Sequence, residues 1–480
     1  MSTVSQPATN RPEQPPPATA PATGTAAPGR PVPPGPPGPA ATDRRRLTAL
    51  QGLAALSLDA MASVAYGPES IVLVLAAAGT QGLGCTLPVT LAIAALLAVL
   101  VASYRQVIAA FPDGGGAYAV ARAHLGRRPA LIAAASLVLD YVLNVAVSVT
   151  AGVAALTSAF PALYGHRLGI CLAVLALVTA VNLRGIADSA RAFLLPTAVF
   201  VGAVLAMIAV GLLRDGPAST ATAAGHPSVL AQNATSVGAL LLLRAFAAGC
   251  SALTGVEAVA NAVPSFRAPA VRRAQRTEVA LGALLGAMLI GLALLIGRFH
   301  LQPVEGVTVL AQLADASFGH NGAFYVVQFA TMVLLALAAN TSFGGLPVLL
   351  GLLARDRYLP RAFGRQDARQ VHRHGVLALA AAAALLLVVS GGDTNTLVPL
   401  FALGVFTGFT LCQAGMVRHW YRARSAGWTG KALLNGFGAL LTGAAAVVVT
   451  ATKFAEGAWL IVLALPVMVA AFESHRRRVP

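Results

Sequence analysis

From residue 47 to residue 473 the chain alternates long apolar runs with short polar segments. Runs of roughly 18 residues or more recur, long enough to cross a hydrocarbon core about 30 Å thick as a helix. Twelve spans are predicted, near 47–79, 86–110, 129–157, 168–184, 192–213, 236–263, 277–298, 321–342, 375–390, 396–417, 432–452 and 457–473. The first is too long for one straight crossing, so a break or an extended approach is expected there. It contains LSLDAMASVAYGPES (residues 56–70), where the carboxylate of Asp59 is followed by Tyr66-Gly67-Pro68. The fold class that follows is an all-α polytopic membrane protein.

Composition excludes the soluble classes. Of 480 residues, 57 % are hydrophobic and 10 % charged, against about 25 % charged in soluble domains. The formal net charge of +16 raises the question of a nucleic-acid partner, but its placement argues against one. The basic residues sit at DRRR (43–46), at Arg105, Arg122, Arg127 and Arg128, and at Arg267–Arg276. They recur at Arg355–Arg373, at Arg418–Lys431 and at RRR (476–478). These are the alternate loops and the two ends; the intervening loops, such as GTQGLGCTLP and SVLAQNATSV, are nearly uncharged. By the positive-inside rule the protein is a multi-pass protein of the cell membrane with both termini cytoplasmic. The excess of arginine, 31 against two lysines, reads as genomic composition bias.

Three segments are expected. Residues 1–43, rich in Pro, Ala, Gly and Thr, cannot bury enough surface to fold and read as a disordered cytoplasmic tail. Residues 44–473 form the membrane domain, and 474–480 a short basic cytoplasmic C-terminus. The four cysteines (Cys85, Cys171, Cys250 and Cys412) have no ligand spacing and read as small apolar fillers. The glycines at 114–116 and 344–345 read as loop glycines outside any phosphate-loop pattern. With no nucleophile–base pair or metal cluster, neither an enzyme nor a bound cofactor is expected.

The informative residues are acids inside spans. Asp59 in span 1, Asp140 in span 3 and Glu257 in span 6 each cost about 2.5–3.5 kcal/mol at a span centre. With a rise of about 1.5 Å per residue, Asp59 and Asp140 fall near the midplane and Glu257 somewhat past it, so the three can converge. Spans 1 and 6 are also breakable: Ser63, Gly67 and Pro68 follow Asp59, and Gly249, Ser251, Thr254 and Gly255 precede Glu257. Breaks at corresponding places in two halves point to an inverted five-plus-five repeat with a midplane site lined by freed carbonyls. Carboxylates, hydroxyls and carbonyls together suit a cation. Tyr66 at the break and Tyr141 beside Asp140 are weaker candidates. Glu69 is expected at the outer vestibule and Asp393 in a solvated turn.

The stretches LDAMASVAYGPE, FPDGGGAYAVARAHLG, LDYVLNVAVSVTAG, NLRGIADSA, LLLRAFAAGCSALTGVEAVAN, LAANTSFGGLPVLLGLLARDRYLPRAF, LVPLFALGVFTGFTLCQAGMV and TKFAEGAWL, in that order, resemble the KimA-type potassium importers of the amino acid–polyamine–organocation superfamily. The resemblance implies a LeuT-like fold of about twelve helices and proton-coupled potassium uptake. Carried over by position, it implies potassium ligands at Asp59, Tyr66, Asp140, Tyr141 and Thr254, a polar lining residue at Ser148, and Glu257 as the proton-coupling acid. Two positions depart from the family pattern: Phe401 stands where a tyrosine is usual, and Asn144 replaces a smaller hydroxyl residue. Well-known relatives carry a large cytosolic domain after the last span, whereas this sequence stops at ESHRRRVP, so nucleotide regulation and dimerisation through such a domain are not carried over. The expected partners are potassium ions, protons, the bilayer and, as an option, a second copy of the chain.

Two rivals remain at this point. An amino acid or polyamine permease of the same superfamily would share the fold, and a polyamine would also suit the acids. A membrane sensor that kept the fold without transporting is the third class.

Overall fold

A helix in hydrocarbon satisfies every backbone group internally, so a chain this apolar resolves into helices. The computed structural model describes residues 46–185, 192–231, 236–365 and 372–478; the tail at 1–43 and the IADSA part of NLRGIADSA lie outside the described residues. Among the described residues eleven helices are long and apolar enough to cross a membrane. A twelfth, Arg373–Val389 of 17 residues, is shorter but equally apolar. The spans are Leu58–Leu83, Thr86–Ala110, Arg127–Ala159, Pro161–Leu183, Leu194–Leu213, Ala239–Asn261, Ala270–Arg298, Gly322–Arg355, Arg373–Val389, Thr394–Ala423, Trp428–Lys453 and Trp459–Arg478. They are called spans 1 to 12 below.

Burial separates the centre from the rim. In its most apolar stretch span 1 is 78 % buried, span 10 is 72 % and span 3 is 67 %, whereas spans 4 and 12 are only 11 % buried. Span 3 packs along spans 8 and 10, span 7 along span 2, and span 10 along span 11. The rim helices expose large apolar side chains such as Leu177, Leu195, Leu433 and Leu440, as helices facing lipid do.

Several boundaries differ from the sequence reading. Spans 8 and 10 run on to Arg355 and Ala423, well past the apolar stretch, because their last turns pack on other protein elements rather than on lipid. Span 12 likewise continues to Arg478, where Arg476 donates to the Tyr358 hydroxyl at 2.6 Å. Gly344 and Gly345, expected in a loop, lie inside span 8 instead. A Cβ at Gly345 would come within 2.6 Å of the Tyr141 ring, so that glycine serves close helix packing. Two further helices sit between spans, Gly116–His124 and Val309–Phe318. Each is too short to give a membrane-span signal.

Candidate cation site

The site begins where span 1 fails to stay helical. A helix over Ala49–Leu56 starts with a Thr48–Gln51 capping box and ends at Ser57, whose hydroxyl bonds the Leu53 carbonyl. The chain restarts as Leu58–Ala62, with Asp59 in its first turn, then tightens to a 3₁₀ turn over Ser63–Ala65. A new helix opens at Gly67 with Pro68 in its first turn, where a missing amide hydrogen costs nothing.

Span 6 breaks opposite. Its first half, Ala239–Gly249, tightens to a 3₁₀ turn over Cys250–Leu253. Thr254 is then extended (φ −64°, ψ 150°) and Gly255 has φ +79°, a conformation that favours glycine. Helix resumes at Ala258–Asn261 with Glu257 at its N-cap.

The two breaks lie against each other. A Cβ at Gly255 would sit 2.7 Å from the Ala60 nitrogen and 2.9 Å from Asp59 Cβ, and a Cβ at Gly67 would sit 2.5 Å from Ala252 Cβ. Ser63 Oγ lies 2.7 Å from both the Ala60 and the Ala252 carbonyl oxygens. The Tyr66 and Thr254 hydroxyls are 3.3 Å apart. Two glycines and three hydroxyls thus seam the broken segments together.

Span 3 brings the second acid. Asp140 is buried near the middle of Arg127–Ala159 and faces span 10 at Gly404, where a Cβ would lie 3.8 Å from the Asp140 nitrogen. Asp140 and Glu257 line one small cavity of about 10 Å³ with Tyr104, Ser136 and Gly404. That volume is about enough for one water. Asp59, Asp140 and Glu257 lie within electrostatic range of one another, and Tyr66 within range of Asp59 and Asp140. One oxygen of each acid (Asp59 Oδ1, Asp140 Oδ1 and Glu257 Oε2) is buried without a hydrogen-bond partner among the described residues. Among those residues no three His, Cys, Asp or Glu side chains gather as a metal centre would. The acids form a loose array, not a chelate.

The other sequence candidates are placed as follows. Tyr141 packs its ring on Gly345 of span 8, yet stays within electrostatic range of the three acids. Ser148 donates to Asn144 Oδ1 at 3.1 Å, and Asn144 Nδ2 donates to Ser342 Oγ at 2.9 Å. Phe401 is fully buried on span 10, three residues before Gly404. Glu69 accepts from the Val309 nitrogen at 3.1 Å and lines a vestibule of about 370 Å³ with Arg167, Glu305 and Asp393. This opening lies on the face of the sparsely charged loops, and Glu69 also borders a smaller cavity that ends on Tyr66. Asp393 is more than a turn residue: it caps span 10 by accepting from the Asn395 nitrogen at 3.2 Å.

The sequence reading missed Tyr104 and Ser136. Ser136 stands one helical turn before Asp140, and the i, i+4 spacing identifies it. Tyr104 carries no local signal, since Arg105 beside it reads as the start of a loop.

Comparison with known proteins agrees with this architecture. A family model described as amino acid permease matches residues 50–472. The potassium transporter KimA of Bacillus subtilis (strain 168) is 41 % identical over 432 residues, covering 90 % of this chain and 71 % of that protein. The family and this relative are both transport proteins, in line with a non-enzymatic role. The chain belongs to the amino acid permease family of the amino acid–polyamine–organocation superfamily, among the KimA-type transporters.

Proposed function

We propose that this chain is a secondary transporter of the cell membrane that imports potassium ions together with protons. The observation that carries this reading is the convergence of Asp59, Asp140 and Glu257 on a paired helix break where each keeps an unpartnered buried oxygen. The 41 % identity to a potassium transporter supports it. The arginine-rich face is cytoplasmic, so the vestibule at Glu69 opens outward.

A potassium ion entering past Glu69 and Tyr66 exchanges its hydration shell for oxygens of Asp59, Asp140, Tyr66 and Thr254 and for carbonyls freed at the breaks. Tyr141, packed on Gly345 of span 8, and Ser148, bonded to Asn144 on its own span, stand behind that shell. Three carboxylates within electrostatic range of one another repel in a low-dielectric interior, and a cation or a proton among them relieves the repulsion. Glu257, at the break and on the cavity of Asp140, takes the proton. Occupancy by the ion and by the proton are thereby linked through one electrostatic array. We read spans 1 and 6 as the equivalent first helices of two inverted five-span halves, whose rocking alternates access.

The test is complementation of a potassium-uptake-deficient bacterium at low external potassium. Wild type restores growth and Asp59→Asn does not. Putrescine uptake without growth rescue assigns the chain to polyamines instead. In proteoliposomes Glu257→Gln loses potassium-driven acidification of the lumen while still reconstituting; unchanged acidification removes Glu257 from the proton role.

A further inference from the structure

One buried acid has no part in this scheme. Glu278 lies in span 7, eight residues past Ala270 and so about 12 Å along the helix. It is fully buried, and neither Oε1 nor Oε2 has a hydrogen-bond partner among the described residues. Its neighbours on the same helix are tied down: Thr277 donates to the Ala49 carbonyl at 3.0 Å and Gln275 to the Arg105 carbonyl at 2.9 Å. Packing alone gains nothing from an unpartnered carboxyl here, because burying one without donors is destabilising.

Tyr104 of span 2 feels both Glu278 and the acids of the candidate cation site. Tyr104 is fully buried; its hydroxyl has no hydrogen-bond partner among the described residues and lies near the Cys412 thiol, within electrostatic range of both Glu257 and Glu278. It lines the cavity that holds Asp140 and Glu257. Glu278 is itself within electrostatic range of Glu257. The helices packed on span 7 bring few titratable groups. Span 2 brings Tyr104 and Arg105, span 1 brings Asp59, Tyr66 and Glu69, and span 6 brings Arg244, Cys250 and Glu257. Helix Val309–Phe318 brings Asp315, while Ala49–Leu56 and span 5 bring none. Arg272, Arg273 and Arg276 precede Glu278 on its own helix, so it stands on the arginine-rich side of Glu257.

We propose that Glu278 is a second proton-holding carboxyl of the transport cycle, filled from Glu257 across the Tyr104 hydroxyl and emptied on the arginine-rich side. The inference rests on the proton role of Glu257 proposed above. The step balances: the Glu257 O–H bond breaks as the Tyr104 oxygen takes that proton, and the former Tyr104 hydroxyl proton passes to a Glu278 oxygen. Glu257 ends as carboxylate, Tyr104 neutral and Glu278 as acid. Loss of that proton to water on the arginine-rich side restores Glu278.

The experiment uses the full chain in proteoliposomes, with a luminal pH dye for net flux and labelled Rb⁺ for cation exchange, which needs no proton release. Glu278→Gln, nearly isosteric, is expected to keep Rb⁺ exchange near the wild-type rate. Its net potassium-driven proton flux is expected to fall roughly tenfold or more, the scale of losing a positioned proton carrier. Tyr104→Phe is expected to slow net flux in the same way, and Glu278→Asp to recover part of it. The proposal is overturned if Glu278→Gln moves potassium and protons like wild type. It is equally overturned if exchange and net flux are lost together, since that marks a structural role. Wild-type potassium flux without any proton movement instead overturns the proton coupling itself, and this inference with it.

Discussion

Span 3 carries two buried polar side chains one helical turn apart that are treated in opposite ways. Asn144 is closed on both sides, accepting from Ser148 and donating to Ser342. Asp140 is equally buried, yet its Oδ1 has no partner among the described residues. The first is a clamp between spans 3 and 8. The second faces span 10, the cavity and two other carboxylates. Buried polar groups are nearly always satisfied when they serve structure. An acid left open beside two others, next to a paired helix break, is what the proposed cation site requires.

The sharpest way to break this contrast is to neutralise the open member. Asp140→Asn keeps the shape and removes the charge. Losing one charged ligand worth about 3 kcal/mol weakens cation binding on the order of a hundredfold. Potassium-dependent thermal stabilisation of the purified protein, read across a potassium titration, checks this. An unchanged midpoint places the ion away from Asp140.

Much of this contrast was legible in the sequence. Asp59, Asp140 and Glu257 stand out because a charge inside a long apolar run has few explanations. Gly255 and Gly67-Pro68 marked the breaks for local steric reasons. Glu278 was not legible: in RRAQRTEVA it follows three arginines and stands at the very edge of the span predicted over 277–298. Its burial arises from span 2 and helix Ala49–Leu56 closing on the first turns of span 7, contacts distant in sequence. Ser148 shows the converse. A hydroxyl beside the site reads as lining, but whether it faces an ion or a neighbouring amide depends on Ser342, far along the chain.

Gly255→Ala tests the scaffold rather than the ligands. An alanine must adopt φ +79° and places its Cβ 2.7 Å from the Ala60 nitrogen. Strain of this kind costs about 1–3 kcal/mol. The expected result is a lower melting temperature in detergent together with impaired uptake, since the displaced atoms include Asp59. Full uptake at wild-type stability means the two breaks do not rely on this contact.

Breaking the closed member has less effect. Asn144→Ala removes both hydrogen bonds of the clamp, and such bonds between membrane helices average about 0.6 kcal/mol and rarely exceed about 2. Melting temperature drops slightly and potassium uptake stays within about threefold of wild type, a change under about 1 kcal/mol. A loss as large as that of Asp140→Asn makes Asn144 a ligand and dissolves the distinction between the two clusters.

The smallest effect concerns a third polar pair, outside the ion path. His124, on the short helix Gly116–His124, has its Nε2 3.2 Å from His419 Nδ1. Burial, with the positive fields of His419, Arg422 and Arg418, holds His124 below its ordinary value of 6.5. The native state therefore favours the neutral ring, and the stability tied to it is present above about 6.5 and fades as pH falls through the lowered value. His124→Gln cannot titrate, so its melting temperature falls less than that of wild type between about pH 7 and about pH 5. Its potassium uptake at neutral pH is unchanged, because His124 stands beside His419 and outside the array of the three acids. Parallel melting curves for the two proteins across that range locate the acid sensitivity elsewhere, with the membrane carboxylates the first place to look.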